Sequence, residues 1–181
     1  ALKEKIDELN EFVKNTKDEF KTLKGFEIIF DYMIRQGYDL FGRAAILSML
    51  YQAGYGAGVS LSKRILDRQG VDKVEPSKAI ALLFKENQDF YSIQFKDIDH
   101  RGSEDGKYDL LVFKISNRCF YIKALKHRDL KRGGTLCRIN KGYFEAVLKK
   151  MTGLKVVVNY KDYDKDKDAC IEEIIFHIPK A

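Results

Sequence analysis

Residues 162–173 carry the most regular pattern of potential ligands in the chain. Asp162, Asp164, Asp166 and Asp168 stand at every second position, and Glu173 follows. That spacing matches the first, third, fifth, seventh and twelfth positions of a calcium-binding EF-hand loop. Such a loop also needs glycine at its sixth position and a helix on each side. Here the sixth position is Lys167, and the flanking segments alternate like strands. Lys161, Lys165 and Lys167 offset the acidic charge. The stretch reads as the wet tip of a β-hairpin.

Other chemistry is weaker. His127–Lys131 spells the start of a protein-kinase catalytic loop, which needs asparagine five residues after its aspartate. That position is Gly134. The glycines at 54, 56 and 58 are not a dinucleotide fingerprint, because no strand feeds them. His100, His127 and His177 show no paired motif around a serine or cysteine. No catalytic residue is expected. Lys123–Lys141 is a basic segment containing Lys126, Arg128, Lys131 and Arg132, with Gly133 and Gly134 loosening it. Those four cations are candidate contacts for an acidic partner, set against the alternative of a solvated loop.

The elements that must position these residues follow from periodicity. Leu2, Ile6, Leu9, Phe12, Val13, Phe20 and Leu23 recur at three- and four-residue steps, predicting an amphipathic helical arm over 1–24. The remaining 25–181 form one domain. Residues 25–42 fit strand or helix. A long helix runs to Gly70, with Gly54, Gly56, Ala57 and Gly58 in its middle. Glycine costs about 1 kcal/mol against alanine inside a helix. Close packing is the favoured reason for them, room for a ligand the alternative. Pro76 opens a second helix. The segments 91–98, 108–116 and 119–125 read as strands, the last two joined by a tight turn at Asn117-Arg118. A helix from Cys137 stops at Gly153, and two strands complete the chain. The fold class expected is α+β, with an antiparallel sheet of about four to five strands packed with helices, plus the N-terminal amphipathic helix.

Composition sets the class. The 181 residues are 45% apolar and 33% charged, with a net charge of +6 and only two prolines. That is globular usage, and the Lys, Glu and Ile content resembles that of archaeal thermophiles. No apolar run is long enough to span a membrane, and no signal peptide opens the chain. A cytoplasmic protein is expected, with nucleic acid not its partner. Three cysteines do not suggest a disulfide scaffold.

Two stretches together resemble the 4-vinyl-reductase, or hydrocarbon-binding, domain family. One is residues 137–176, with Cys137, Gly142, Ala146, the Thr152-Gly153 pair, an acidic loop and Cys170; the other is residues 42–66, with Gly54 and Gly58. The likeness spans about residues 38–178. It implies an α/β domain with an apolar pocket between helices and sheet, a kinship with sensory domains of aromatic-responsive regulators and with TRAPP tethering subunits, and a homodimer. The reductase activity in the family's name is not carried over, because no redox motif accompanies it, and an enzyme of another type stays a lesser reading. In sensor members the hairpin holds zinc through cysteines and a glutamate. Cys137 and Cys170 match two of those ligands, while Tyr160 and Tyr163 fall at the other two. No cofactor is expected; zinc at Cys137 and Cys170, a disulfide between them, or two free thiols stay open. The leading function is binding or sensing of an apolar, lipid-like small molecule. Leu47, Leu50, Tyr51 and Tyr55 on one helix and Tyr143, Phe144 and Val147 on the other are the candidate pocket residues. The alternative is a dimeric scaffold like the tethering proteins, with the basic loop as its contact for a protein partner.

Overall fold

A computed structural model describes residues 22–121 and 132–180. Most of the expected helical arm lies outside the described residues, as do Lys126, Arg128 and Lys131. The chain divides into two compact units, Ala1–Gly37 and Tyr38–Ala181. Helix α1 is Thr22–Gln69, which resolves the ambiguous segment 25–42 as helix; its one non-helical residue is Gly42, at φ 78°. Helix α2 is Pro76–Glu86, strand β1 Tyr91–Gly102 and strand β2 Tyr108–Cys119. Helix α3 is Cys137–Thr152, strand β3 Lys155–Asp164 and strand β4 Ala169–Pro179. The second unit is therefore α+β. No described helix is long and apolar enough to cross a membrane.

The four strands form one antiparallel sheet in the order β1-β2-β4-β3. Side chains alternate across a strand, so one face collects Phe113 and Ile115 of β2, Ile174 and Phe176 of β4, and Val156 and Val158 of β3. Those residues join Phe144, Val147, Leu148 and Met151 of α3 and Ala79, Ile80 and Leu83 of α2 in a single core. Each fully buried side chain of this size contributes roughly 2 kcal/mol relative to exposure.

Two expectations fail in β2. Asn117 and Arg118 are not a tight turn. Asn117 pairs with Ile93 and Cys170, and Arg118 pairs with Ser92, so β2 continues to Cys119. The expected strand 119–125 does not begin there: Phe120 is a turn, Tyr121 is helical, and residues 122–125 lie outside the described part. The physical reason is that Asn117 keeps the inward alternation of Phe113 and Ile115, and its amide finds a carboxylate partner inside. A polar dipeptide signals a turn only where nothing in the interior satisfies it.

The glycines of α1 have a plain role. Ile46, Leu50, Gly54, Gly58, Leu61 and Ile65 are the buried stripe. A Cβ on Gly54 would stand 2.0 Å from the Ile139 carbonyl oxygen, and one on Gly58 2.5 Å from that of Tyr143. From the other side, a Cβ on Gly142 would stand 2.2 Å from the Tyr51 carbonyl oxygen. Backbone meets backbone between α1 and α3, so close packing accounts for these three positions.

Helix α3 also holds the sheet edge. β3 has a neighbour on one side only. On its open side the Val158 N–H donates to Glu145 Oε1 at 2.8 Å, and Lys141 Nζ donates to the Val158 carbonyl. Lys141 and Glu145 pair with each other at 2.7 Å, and the Tyr51 hydroxyl donates to Glu145 Oε2 at 2.5 Å. Two helical side chains thus supply what a fifth strand would have supplied.

Gly54→Ala and Gly142→Ala should each lower unfolding stability by about 2 kcal/mol or more, since backbone cannot yield to the added methyl. Gly56, with open space around its missing Cβ, is the control. Gly56→Ala should raise stability by up to about 1 kcal/mol through helix propensity. Urea denaturation of the three variants tests both signs.

Candidate functional site

One end of the sheet gathers polar groups on its inner face. β2 contributes Asn117 and Cys119, β4 contributes Cys170 and Glu172, and β3 contributes Tyr160 opposite Glu172 and Tyr163 opposite Cys170. The first turns of α3 lie over them with Cys137, Asn140 and Lys141. A cleft of about 310 Å³ opens here, lined by Gly133, Cys137, Arg138, Asn140, Lys141, Phe144, Val158, Asn159, Tyr160 and Glu172. Its walls are apolar where Phe144 and Val158 stand, and polar where Asn140, Cys137 and Glu172 stand.

The three thiols sit within electrostatic reach of one another and of Glu172. Burial pushes the Cys119 thiol up to about 11 and the Cys170 thiol up to about 12, with the neighbouring acid groups adding to the rise. Burial also raises Cys137, against N–H groups of Gly133 and Gly134 that point at its sulfur and lower it. All three are free thiols. Protonated thiols are weak nucleophiles, so burial works against nucleophilic chemistry at these cysteines. Burial pushes the Glu172 carboxyl up to about 7, opposed by a hydrogen bond from Asn117 Nδ2 to its Oε2 at 3.2 Å. Nearby, Tyr91 donates to Asn140 Oδ1 at 2.8 Å.

A strap closes the outer side. Gly133, at φ 68°, lies against the Tyr160 ring, where a Cβ would come within 2.6 Å of the ring. Arg132 stacks 3.6 Å over the Tyr163 ring centroid and pairs with Asp168 at 3.0 Å. Tyr163 donates its hydroxyl to the same carboxylate.

The residues singled out from sequence distribute unevenly. Cys137 and Cys170 do come together, with Cys119 as a third thiol. Among the described residues no group of three or more His, Cys, Asp or Glu is placed to hold a metal ion. The aspartates of the hairpin separate. Asp162 is exposed, Asp164 caps the turn by accepting from the Asp166 and Lys167 amides, and Asp168 binds Arg132. Of the seven expected pocket residues, Phe144 lines the cleft. Leu50 and Val147 are core, at 2% and 0% exposure, and Leu47 is half-buried. Tyr51 binds Glu145 and packs on Tyr55, and Tyr143 donates to Asn87. Of the four basic candidates, Arg132 is described, and it is engaged within the chain. Sequence reasoning missed Asn117, Cys119, Asn140 and Glu172. For Asn117 and Glu172 the signal was a polar residue at an inward position of otherwise apolar strand alternation.

The Glu172 carboxyl predicts a pH dependence. Its ordinary value is 4.5 and its folded value about 7, so the folded chain holds the proton longer than the unfolded one. Stability should fall as pH rises from about 4.5 to 7 and level off above, by at most roughly 3 kcal/mol. Glu172→Gln should remove that slope. Thermal unfolding of both proteins between pH 5 and 8 in chelator-containing buffer checks it.

No family model matches the chain, and no curated protein matches it in sequence. Solved structures do. The phenol-responsive sensory domain of the transcription activator PoxR aligns over 83% of this chain and 74% of its own, at 8% identity and a TM-score of 0.58. A trafficking protein particle complex subunit 3 from Naegleria fowleri, covalently bound to palmitic acid, aligns over 86% and 96%, at 17% identity and a TM-score of 0.43. The first likeness places this chain in the same fold as a sensory domain.

Proposed function

We propose that this chain is a binding or sensing domain for a small, largely apolar molecule, received in the cleft beneath the first turns of α3. The observation that carries it is the cleft's make-up: about 310 Å³, with Phe144 and Val158 as apolar walls and Glu172 and Asn140 as convergent polar groups. Ligand pockets are built in this way, and their volumes start near this size. The volume suits one ring or a short chain. The shared fold with a phenol-responsive sensory domain supports the reading. The driving force is apolar burial, about 25 cal/mol per Å².

A second reading is an assembly subunit that pairs with a second copy of itself. Exposed apolar residues favour it. In the first unit Phe26, Ile29 and Met33 follow helical spacing at 60% exposure or more. In the second unit Leu40 and Phe41 are about as exposed, and Met49 is 53% exposed. A two-fold interface uses the same patch on both copies.

Titration calorimetry against single-ring aromatics and six- to eight-carbon alcohols tests the first reading. Saturable binding to at least one class is expected, weakened about fivefold or more by Tyr160→Ala, which removes the exposed ring walling the cleft. Failure of every compound to bind overturns it. For the second reading, light scattering should report a dimer that Leu40→Glu with Phe41→Glu dissociates. A monomeric parent protein sinks that reading.

A further inference from the structure

The sheet has two edges. At β3, Lys141 and Glu145 of α3 take up the outward backbone groups of Val158. At β1, among the described residues, β2 lies on one side and no strand on the other. Its twelve residues are exposed along almost their whole length. Phe95 and Ile98 stand opposite Ile115 and Phe113 on the inner face, yet they are 47% and 59% exposed. The Phe90 carbonyl accepts the Phe120 N–H at 3.0 Å. Backbone groups alternate in direction along an antiparallel strand, so those of Ser92 and Gln94 face β2 and those of Ile93 and Phe95 face outward. The bulge between Phe95 and Asp97 shifts that count by one and turns Ile98 and His100 outward. The Ile98 N–H accordingly meets no strand and donates to Asp97 Oδ1 at 2.9 Å.

A second β1, antiparallel and related by a two-fold axis through the bulge, fits this edge. Ile93 of one copy then meets His100 of the other, and Phe95 meets Ile98. Both pairs join outward backbone groups and inward side chains. On the outer face, which Lys96 and Asp97 border beside Lys114, Lys96 meets Asp97, Gln94 meets Asp99 and Ser92 meets Arg101. The axis makes each pairing twice, sets the two bulges opposite each other and brings no like charges together. A shift of one residue would set inward side chains against outward ones. Edge lysines and bulges commonly deter strand pairing. Here they complement each other across the axis, so they turn away other strands and admit this one. We infer that β1 is a self-recognition edge, through which this chain joins its sheet to that of a second copy. On joining, the Phe95 carbonyl of one copy takes the Ile98 N–H of the other. That frees the Asp97 carboxylate to meet Lys96, and the two Phe95–Ile98 pairs cover each other. This edge is separate from the helical patch at Leu40 and Phe41. No residue of β1 lines the cleft, so the ligand-binding reading does not depend on it.

Sedimentation of the full chain should show a dimer. Lys96→Asp alone and Asp97→Lys alone each set like charges opposite at both crossings, and each should weaken the dimer about tenfold or more. Mixing the two variants restores opposite charges at both crossings, so a heterodimer about as tight as the parent dimer should form. Hydrogen exchange on the unaltered protein reads the same edge: the Phe95 and Ile98 amides should slow as concentration rises through the dimerisation range. A monomeric parent, single variants that pair as well as the parent, or a mixture that stays monomeric overturns the inference. A dimer that Leu40→Glu with Phe41→Glu dissociates, while the Phe95 and Ile98 amides exchange freely, also overturns it and assigns the contact to α1.

Discussion

Val158 is the pivot of the second unit. It lies on an edge strand, where a backbone N–H and C=O face away from the sheet and have no strand to meet. Glu145 accepts from that N–H and Lys141 donates to that C=O. An unpaired buried backbone group costs about as much as a lost hydrogen bond, so the pair converts a liability into an attachment. Glu145 also takes the Tyr51 hydroxyl, which brings α1 to the same carboxylate. One side chain therefore joins α1, α3 and β3. A buried network of this kind is stabilising because every oxygen of the carboxylate is engaged.

The attachment sets where the cleft can be. With Lys141 and Glu145 fixed to Val158, the preceding turn of α3 must lie over the β3–β4 end of the sheet. Cys137, Asn140 and Phe144 are carried there by helix geometry. The α1 glycines complete the arrangement from the opposite side, since only backbone fits between α1 and α3. The contact expected to hold a pocket brings backbone against backbone. The opening lies instead on the far side of α3, against β3 and β4.

That displacement explains why the seven expected pocket residues and the observed lining overlap at Phe144. Large side chains at helical spacing beside glycines could line a cavity or close a gap. Sequence spacing does not separate the two, because the distance between helices is a tertiary quantity. The thiols show the same limit. Cys137 and Cys170 were paired through a family resemblance, yet Cys119 and Glu172 join them only because β4 inserts between β2 and β3. That strand order sets Asn117 opposite Cys170 and Glu172 opposite Tyr160.

The sequence by itself determined the local elements. Apolar steps of three and four residues specified α1 beyond the ambiguous segment 25–42, α2 and α3. Alternation marked the four strands but also suggested a fifth over 119–125 that does not begin there, and lysines among the aspartates marked a solvated hairpin tip. These are properties of neighbours along the chain, set by backbone geometry and by which face must leave water. The tertiary structure decided the rest. It carried β2 through Asn117 and Arg118, because an interior carboxylate was there to receive the amide. It brought Cys137 and Glu172 to one cleft, with Asn117 bonded to Glu172. Those outcomes depend on strand order and helix spacing, which arise from contacts between residues tens of positions apart.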